Sequence, residues 1–323
     1  MCTAVTFSTK DHYFGRNLDY EFSCHETVTV TPRNYPFTFR DGKVLKNHYA
    51  MIGIAMIDDG YPLYYDATNE KGLSMAGLNF PGNAVYKPLA PQLDNVSPFE
   101  FIPWILGQCT TVTEAEEYLN RINLAAIPFS DVYPLSPLHW IIADKTRSIT
   151  VESVSDGLHV MENPVGILTN NPPFAYHLYN LSNFINVTHK EPINRFSDVI
   201  DLTPYSRGMG GMGLPGDLSS SSRFVKAAFT KLNSRCGDSE SESISQFFHI
   251  LSSVAQQRGC VQVDDGFEKT VYSSCCNVDK GIYYYTTYEN SQITGISLFK
   301  EDLDSHELVS YTLLKDQQIR MEN

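Results

Sequence analysis

Along the first hundred residues, short runs of apolar, β-branched and aromatic residues alternate with polar turns, a pattern that predicts antiparallel strands. The turns fall at 9–11, 58–60 and 69–72. The runs between and around them read TAVTFS, YFGRN, TVTVT, YAMIGIAMI, YPLYYDA and GLSMAGLNF. We therefore expect an antiparallel sheet in this part of the chain.

The pattern then changes to helical periodicity. A helix is predicted over SPFEFIPWILGQC, because Ser97 and Glu100 have the spacing of a capping box and Pro98 suits the first helical position. Thr113 and Glu116 predict the start of a second helix in the same way. Further helices are predicted at 175–185, 220–232 and 243–257, the last ended by Gly259.

Strand patterns return between and after these helices. LHWIIAD and SITVES flank a turn at 145–147, VGILTNNP follows, and GIYYYTTY and ITGISLF lie near the C-terminus. Runs of strands separated by runs of helices, without regular βαβ alternation, predict an α+β fold of two stacked antiparallel sheets with helices outside. No repeat or linker divides the chain, so we expect one domain over 1–323, with a long loop excursion at about 190–217.

Composition and charge narrow the class of protein. Hydrophobic residues make up 42% and charged residues 19%, as in ordered globular chains. The longest apolar stretch, 50–57, is far short of the roughly 20 residues of a membrane span, and the N-terminus lacks a signal-peptide pattern. The net charge of −13 works against nucleic acid or an anionic membrane as a partner. We expect a soluble, cytoplasmic protein.

The cysteines and glycines do not predict a metal, a disulfide framework or a cofactor. Seven cysteines form an odd set without CxxC or Cys/His ligand spacing, and the nine histidines show no HExxH. Cys275 and Cys276 are adjacent, so in a strand they face opposite sides, and we expect both in the core. The segment GMGGMG at 208–213 matches G-x-G-x-x-G but belongs to no βαβ unit, which excludes a dinucleotide site.

Cys2 is the candidate nucleophile. Removal of Met1 would give one residue both a thiol and an α-amine. If the first turn is centred near residue 10, residue i pairs with 20 − i, and Arg16 and Asp19 fall within one or two strand steps of Cys2, about 3.4 Å each. An arginine favours the thiolate, and a carboxylate can hold the amine for proton transfer. The alternative is that both are ordinary surface charges, an interpretation that the position of Cys2 makes weaker.

Six fragments in order resemble the choloylglycine hydrolase family of N-terminal-nucleophile hydrolases, specifically its conjugated bile salt hydrolases. They are MCT, FGRNLDY, NEKGLSMAGLNFPG, LHW, LTNNP and GLPGDLSSSSRF. The resemblance runs from end to end. It implies a four-layer αββα fold, no cofactor, assembly as a homotetramer to which the excursion contributes, and hydrolysis of the amide that joins a bile acid to glycine or taurine.

The resemblance also assigns site residues. It implies Cys2 as nucleophile with its own amine as base, supported by Arg16 and Asp19. Oxyanion contacts would come from the backbone N–H of Asn79 and the side chain of Asn170, and the polar site would be completed by Arg223. Each of these last three also has a structural interpretation: both asparagines stand near prolines in turns, and Arg223 could be an exposed first-turn residue.

An apolar steroid would need an apolar binding cleft. We propose that loops 56–63 and 123–135 form its walls, with Ile57, Tyr61, Ile127 and Phe129. Two alternative functions remain open. A penicillin V acylase would use the same nucleophile, but such enzymes tend to place Tyr where this chain has Asn79. A non-catalytic steroid-binding protein would have no need to keep the whole set of reactive residues.

Overall fold

A computed structural model describes all 323 residues and contains twenty strands and five α-helices. In chain order the strands are β1 (Cys2–Ser8), β2 (His12–Tyr20), β3 (Thr27–Thr31), β4 (Phe37–Thr38), β5 (Val44–Leu45), β6 (Met51–Asp58), β7 (Tyr61–Asn69), β8 (Ser74–Asn79), β9 (Asp94–Val96), β10 (Ile122–Leu124), β11 (Leu138–Ala143), β12 (Ser148–Val154), β13 (Gly157–Glu162), β14 (Ile167–Leu168), β15 (Gln262–Val263), β16 (Gly266–Phe267), β17 (Lys269–Asn277), β18 (Ile282–Thr287), β19 (Thr294–Ser297) and β20 (Val309–Thr312). The helices are α1 (Phe101–Gln108), α2 (Val112–Leu119), α3 (Phe174–Asn180), α4 (Ser220–Asn233) and α5 (Glu240–Ser252).

Two antiparallel sheets form the centre of the fold. Sheet A has the strand order β14-β1-β2-β17-β18-β19, and sheet B has the order β13-β12-β11-β8-β7-β6-β3-β20. Helices α4 and α5 pack on β1 and its neighbours in sheet A, and α1 packs on β7 and β8 of sheet B. The layers are therefore helix, sheet, sheet and helix, which confirms the predicted α+β, αββα architecture.

The sheets meet through buried apolar side chains. Ile52 and Ile54 of β6 belong to the same cluster as Tyr272, Cys276 and Tyr283 of sheet A. Strands in the two middle layers are covered on both faces, which is why β1 reads as a nearly continuous buried run instead of alternating.

The first hairpin has the predicted register. Cys2 pairs with Leu18 and Ser8 with His12, so paired residues add up to 20, with the turn at 9–11. Arg16 lies opposite Ala4, two residues along β1 from Cys2, and Asp19 is one residue past the partner of Cys2. The turn signal alone thus placed both charged residues beside the candidate nucleophile.

Two predicted helices had wrong boundaries. The second helix is capped by Thr111, whose side chain accepts the backbone N–H of Glu114, and not by Thr113. The last helix begins one turn earlier than predicted, with Ser239 as its cap, and ends at Ser252. Gly259 has a φ of +96° but lies in the following loop. In both cases a second Ser or Thr a few residues upstream also fits the capping pattern, and only packing selects between the two.

The adjacent cysteines lie on opposite faces of β17, as predicted. Cys275 packs into the cluster that includes Phe247 of α5, whereas Cys276 packs between the two sheets. All seven cysteines are free thiols. No helix has both the length and the apolar content needed to cross a membrane.

Candidate active site

Cys2 lies at the start of β1 in the interior of sheet A, with only 4% of its surface exposed. Its backbone N–H donates to the side-chain Oδ1 of Asn170 at 2.8 Å. Met1 precedes it, and the Met1 ammonium donates to the carbonyl oxygen of Asp19 at 2.7 Å and pairs with the buried carboxylate of Glu268. The bond that joins Met1 to Cys2 is therefore surrounded by polar groups of three other segments.

Arg16 is fully buried between the two sheets. Its Nη1 donates to the carbonyl oxygens of Tyr65 at 2.9 Å and Gly77 at 2.6 Å, both in sheet B. Burial opposes the charge of this guanidinium, but the neighbouring acidic groups of Cys2, Tyr272 and Asp66 hold the pKa of Arg16 above its ordinary value. Arg16 thus provides a permanent positive charge next to the Cys2 thiol.

Asp19 is buried beside the N-terminus. Its Oδ1 accepts a hydrogen bond from the Thr270 hydroxyl at 2.6 Å, and its Oδ2 makes no hydrogen bond and lies 3.9 Å from Nη1 of Arg223. Burial raises the pKa of the Asp19 carboxyl, while Arg223, the N-terminal ammonium and Thr270 oppose that rise. The free lone pairs of Oδ2 are available to a group held at the N-terminus.

Arg223 joins the helical layer to the N-terminus. From the first turn of α4, its Nη1 donates to the carbonyl oxygen of Cys2 at 2.5 Å and to Oγ1 of Thr3 at 2.6 Å. Its Nη2 donates to Oδ1 of Asn170 at 2.8 Å, and its Nε to the carbonyl oxygen of Leu218 at 3.0 Å. With 1% of its surface exposed, Arg223 is not the solvent-facing first-turn residue of the alternative interpretation.

The two asparagines meet beside Cys2. Nδ2 of Asn170 donates to the carbonyl oxygen of Asn79 at 2.7 Å. Asn79 ends β8, where its side chain is exposed, and pairs with Leu138 of β11. The side-chain amide of Asn170 therefore has its oxygen toward the Cys2 nitrogen and its nitrogen toward the end of β8.

Two of the four proposed wall residues are in contact. The rings of Tyr61 and Phe129 lie 5.9 Å apart, and both contact Phe99, at 5.7 and 5.1 Å. Arg40 covers this group, with its guanidinium 5.3 Å from the centre of the Phe129 ring and its Nη2 donating to the Phe129 carbonyl oxygen at 2.7 Å. Tyr61 Oη is buried without a hydrogen-bond partner.

The other two wall residues are the aliphatic Ile57 and Ile127. Ile57 is opposite Pro62 in the β6–β7 hairpin and is 36% exposed, and Ile127 is half-buried two residues before Phe129. Phe99 and Arg40 were missed by the sequence analysis. The sequence pattern assigns Phe99 to the start of a helix and does not predict its contact with Tyr61 and Phe129. No local pattern connects Arg40 to residue 129.

Other groups that support the site were also missed. Thr270 fixes Asp19, Glu268 pairs with the N-terminus, and Ser220 accepts the backbone N–H of Asn170 at 2.8 Å. Of these, only Ser220 falls within a segment that the sequence singled out, the run of four serines before Arg223. No group of three or more His, Cys, Asp or Glu side chains has a geometry that could hold a metal ion.

A family model described as "Linear amide C-N hydrolases, choloylglycine hydrolase family" matches residues 2–311, nearly the whole chain. The chain belongs to the choloylglycine hydrolase family. A bile salt hydrolase/transferase of Lactiplantibacillus plantarum is 57% identical to this family member over 319 residues, which cover 98% of each chain. A bile salt hydrolase/transferase of Clostridium perfringens is 40% identical over 96% of each chain.

Solved structures of the choloylglycine hydrolase family have the same fold. The C2A mutant of conjugated bile acid hydrolase from Clostridium perfringens superimposes with a TM-score of 0.93 at 38% identity, over 100% of both chains. A penicillin V acylase from Agrobacterium tumefaciens superimposes with a TM-score of 0.76 at 18% identity, over 96% of this chain and 90% of its own. At that identity, the likeness to the acylase concerns the fold alone.

Proposed function

We propose that this protein hydrolyses the amide bond of glycine- or taurine-conjugated bile salts, with Cys2 as the nucleophile once Met1 has been removed. The observation that carries the proposal is the convergence of Arg16, Asp19, Asn170 and Arg223 on residue 2. The two bacterial relatives named above, which match almost the whole chain, are called bile salt hydrolases/transferases.

Removal of Met1 turns the backbone nitrogen of Cys2 into a primary amine. That nitrogen already lies 2.8 Å from Oδ1 of Asn170, and Asp19 Oδ2 has no other hydrogen-bond partner. These acceptors orient the amine and stabilise the ammonium that forms when it takes the proton of the thiol. Arg16 stabilises the thiolate, which is the attacking form.

The thiolate attacks the carbonyl carbon of the conjugated bile salt, and the π electrons move to the oxygen. In this proposal the oxyanion accepts hydrogen bonds from the backbone N–H of Asn79 and from Nδ2 of Asn170, which would turn from the Asn79 carbonyl oxygen, and such a contact is commonly worth about 3–4 kcal/mol per donor. The ammonium then gives its proton to the amide nitrogen, the C–N bond breaks, and glycine or taurine leaves. An acyl-thioester on Cys2 remains.

Water completes the reaction. The α-amine takes a proton from water, the hydroxide adds to the thioester carbon, and collapse of the intermediate releases the bile acid and returns the thiol. If an amine replaced water as the attacking group, the product would be a new amide. The names of both relatives include a transferase, and the same intermediate would support that second activity here.

The apolar body of the substrate would lie against the wall residues Ile57, Tyr61, Ile127 and Phe129. The aromatic group formed by Tyr61, Phe99 and Phe129 supports this placement, since three half-buried rings from separate segments pack together there. Burial of a rigid apolar skeleton there would supply binding free energy without any charged partner.

We also propose that the chain is a single domain that works in the cytoplasm as a homotetramer. The excursion at 190–217 supports assembly, because it exposes large apolar residues with no partner in the chain. Phe196, Val199 and Tyr205 are each more than 80% exposed. A monomeric protein seldom exposes such a cluster.

A product assay tests the proposed function. The protein is incubated with glycocholate, taurocholate and penicillin V, and free glycine, taurine and 6-aminopenicillanic acid are measured, with Cys2→Ala as the control. Release of amino acid by the parent but not by the variant supports the proposal. Turnover of penicillin V alone would favour the acylase, and steroid binding without turnover would favour a binding protein.

A further inference from the structure

A buried acid and a buried histidine lie directly behind the loop that carries Asn170. Nδ1 of His139 is 3.0 Å from Oε1 of Glu152, and its Nε2 is 2.9 Å from the carbonyl oxygen of Thr169. Both side chains are almost completely enclosed, with 0% and 2% exposed. The catalytic scheme above uses neither residue.

The two residues are cross-strand neighbours. In the β11–β12 hairpin Trp140 pairs with Val151, and His139 and Glu152 are the next position in that register. The His139 ring stacks on Phe80, with centroids 4.2 Å apart, so it is held on its face as well as at its edge. The position of the imidazole is therefore fixed by β11, β12 and the residue that follows Asn79.

Both ring nitrogens of His139 lie within hydrogen-bond distance of an oxygen atom, so the imidazole is held at both edges, by Glu152 and by Thr169. Oε1 of Glu152 also accepts the backbone N–H of Phe174 at 2.9 Å. The pair thus holds the loop 169–174 at both ends, through Thr169 and through Phe174.

The backbone of Asn170 is fixed within this loop by two further contacts. Its carbonyl oxygen lies 2.9 Å from Nε2 of His177, and its N–H donates to Oγ of Ser220. Ser220 in turn donates to Oγ1 of Thr169 at 3.0 Å. The backbone of Asn170 is thus fixed, and from it the side-chain amide lies between Cys2 and Asn79.

We propose that His139 and Glu152 are positioning residues that fix the 169–174 loop and so aim the Asn170 amide at Cys2. The inference rests on the proposed function, in which Asn170 holds the α-amine and donates to the oxyanion. A misplacement of about 1 Å in such a group can cost on the order of 10²-fold in rate, which gives the pair a role in turnover beyond packing.

Glu152→Gln tests the proposal, because glutamine keeps the size but has a single acceptor oxygen, whereas Oε1 of Glu152 contacts both His139 and Phe174. With a neutral imidazole, an amide oxygen that keeps both contacts leaves Nε2 of His139 without a proton for Thr169, and an amide nitrogen turned toward His139 leaves the Phe174 N–H without its acceptor. One end of the 169–174 loop is released in either case. We expect kcat on glycocholate to fall about tenfold or more, toward the about 10²–10³ that loss of an oxyanion donor costs. KM should stay within about twofold, since the apolar wall is not touched.

Two measurements separate positioning from a general disturbance of the fold. The rate at which iodoacetamide alkylates Cys2 at pH 9, followed by peptide mass spectrometry, needs only a thiolate and should be unchanged in Glu152→Gln. Glu162→Gln on the neighbouring strand β13, which removes an exposed ion pair with Arg147, should leave both kcat and the alkylation rate at the parent values.

Should Glu152→Gln fail to fold, His139→Gln is measured in the same way, since it removes the imidazole that bridges Glu152 and Thr169. A folded variant with the parent kcat overturns the proposal, and so does a parallel fall of kcat and the alkylation rate. The parent in the same assay tests the proposed function separately: if it is alkylated at Cys2 but releases no glycine, that function is wrong, whatever the variants do.

Discussion

The backbone nitrogen of Cys2 and the side-chain oxygen of Asn170 lie 2.8 Å apart although 168 residues separate them in the chain. Arg223 donates to the same Asn170 oxygen and also to the carbonyl oxygen of Cys2. The N-terminal residue is therefore held by its main chain on both sides of its α-carbon. Because the backbone of Cys2 is fixed, its thiol can approach a substrate carbonyl with little loss of conformational entropy during the reaction.

The mature protein is expected to lack Met1. In the full chain, Met1 places its ammonium against Glu268 and the carbonyl of Asp19, and its peptide bond leaves Cys2 without a basic amine. Intact-mass spectrometry of the active protein should give the mass of residues 2–323. A homogeneous, fully active preparation that still carries Met1 would contradict the proposed base.

Replacement of the nucleophile should abolish turnover without unfolding the protein. We expect Cys2→Ala to release no detectable glycine from glycocholate while its circular dichroism spectrum and melting temperature stay near those of the parent. Cys236→Ser, at an exposed position distant in sequence from the site, is the matched control and should be fully active. Appreciable activity in Cys2→Ala would place the nucleophile elsewhere.

Arg223→Lys should be a severe change although the charge is kept. The guanidinium of Arg223 reaches four acceptors, Cys2, Thr3, Leu218 and Asn170, in a planar fork that an ammonium cannot reproduce. We expect kcat to fall about 10²-fold, and unfolding in urea to show a loss of about 2–3 kcal/mol. Arg235→Lys, just beyond α4, contacts only a neighbouring carbonyl and should be neutral. If Arg223→Lys had the same kinetics as the parent, the planar guanidinium of Arg223 would not be needed for turnover.

The stability of the fold should decrease in mild acid because of His12. Burial, and next the positive charge of Lys231, lower the pKa of His12 to about 4 from an ordinary 6.5, and its Nε2 has no partner. Between these values the unfolded chain binds a proton that the folded chain does not, so the stability present above pH 6.5 is lost as the pH falls toward 4.

The shift corresponds to roughly 3 kcal/mol at most. Urea unfolding at pH 7 and pH 4.5 measures how the free energy of unfolding changes with pH, and this change should be smaller in His12→Gln than in the parent. An equal pH slope in the parent and in His12→Gln would exclude His12 as the titrating group.

The sequence alone was sufficient to predict those elements whose position depends on residues close together in the chain. The turn at 9–11 fixed the register of the first hairpin, and so the approach of Arg16 and Asp19 to Cys2. The same reasoning applied to the turn at 145–147 pairs residue i with 292 − i and puts His139 opposite Ser153, one residue away from the register in which His139 faces Glu152. Nothing marked that pair as functional, because its importance depends on Thr169 and Phe174, which arrive from another part of the chain.

Asn170 and Arg223 could be assigned only through the family resemblance. Each contacts Cys2 although the two residues are far apart in the chain. No periodic pattern in a sequence predicts a contact over such a separation. The same holds for Thr270 and Glu268, which come from β17 and the residue before it. Helix starts were misplaced where two Ser or Thr residues competed for the cap, as at Thr111 and Thr113.

The central claim is that the α-amine of Cys2 is the base of the reaction, and one measurement tests it directly. A leader is fused ahead of Cys2 such that a site-specific protease removes it without leaving a residue, and glycine release from glycocholate is measured on the same preparation before and after cleavage. The thiol is present before and after cleavage. The nitrogen of Cys2 is part of a peptide bond before cleavage and becomes a free amine after it.

Since a positioned acid–base group contributes about 10²–10⁴ in rate, we predict that cleavage raises the rate of glycine release by at least 10²-fold while the circular dichroism spectrum stays the same. As a control, the same peptide is fused to the C-terminus, and its removal by the protease should not change the rate. Equal rates before and after removal of the N-terminal leader would contradict the account and would require a side chain to act as the base.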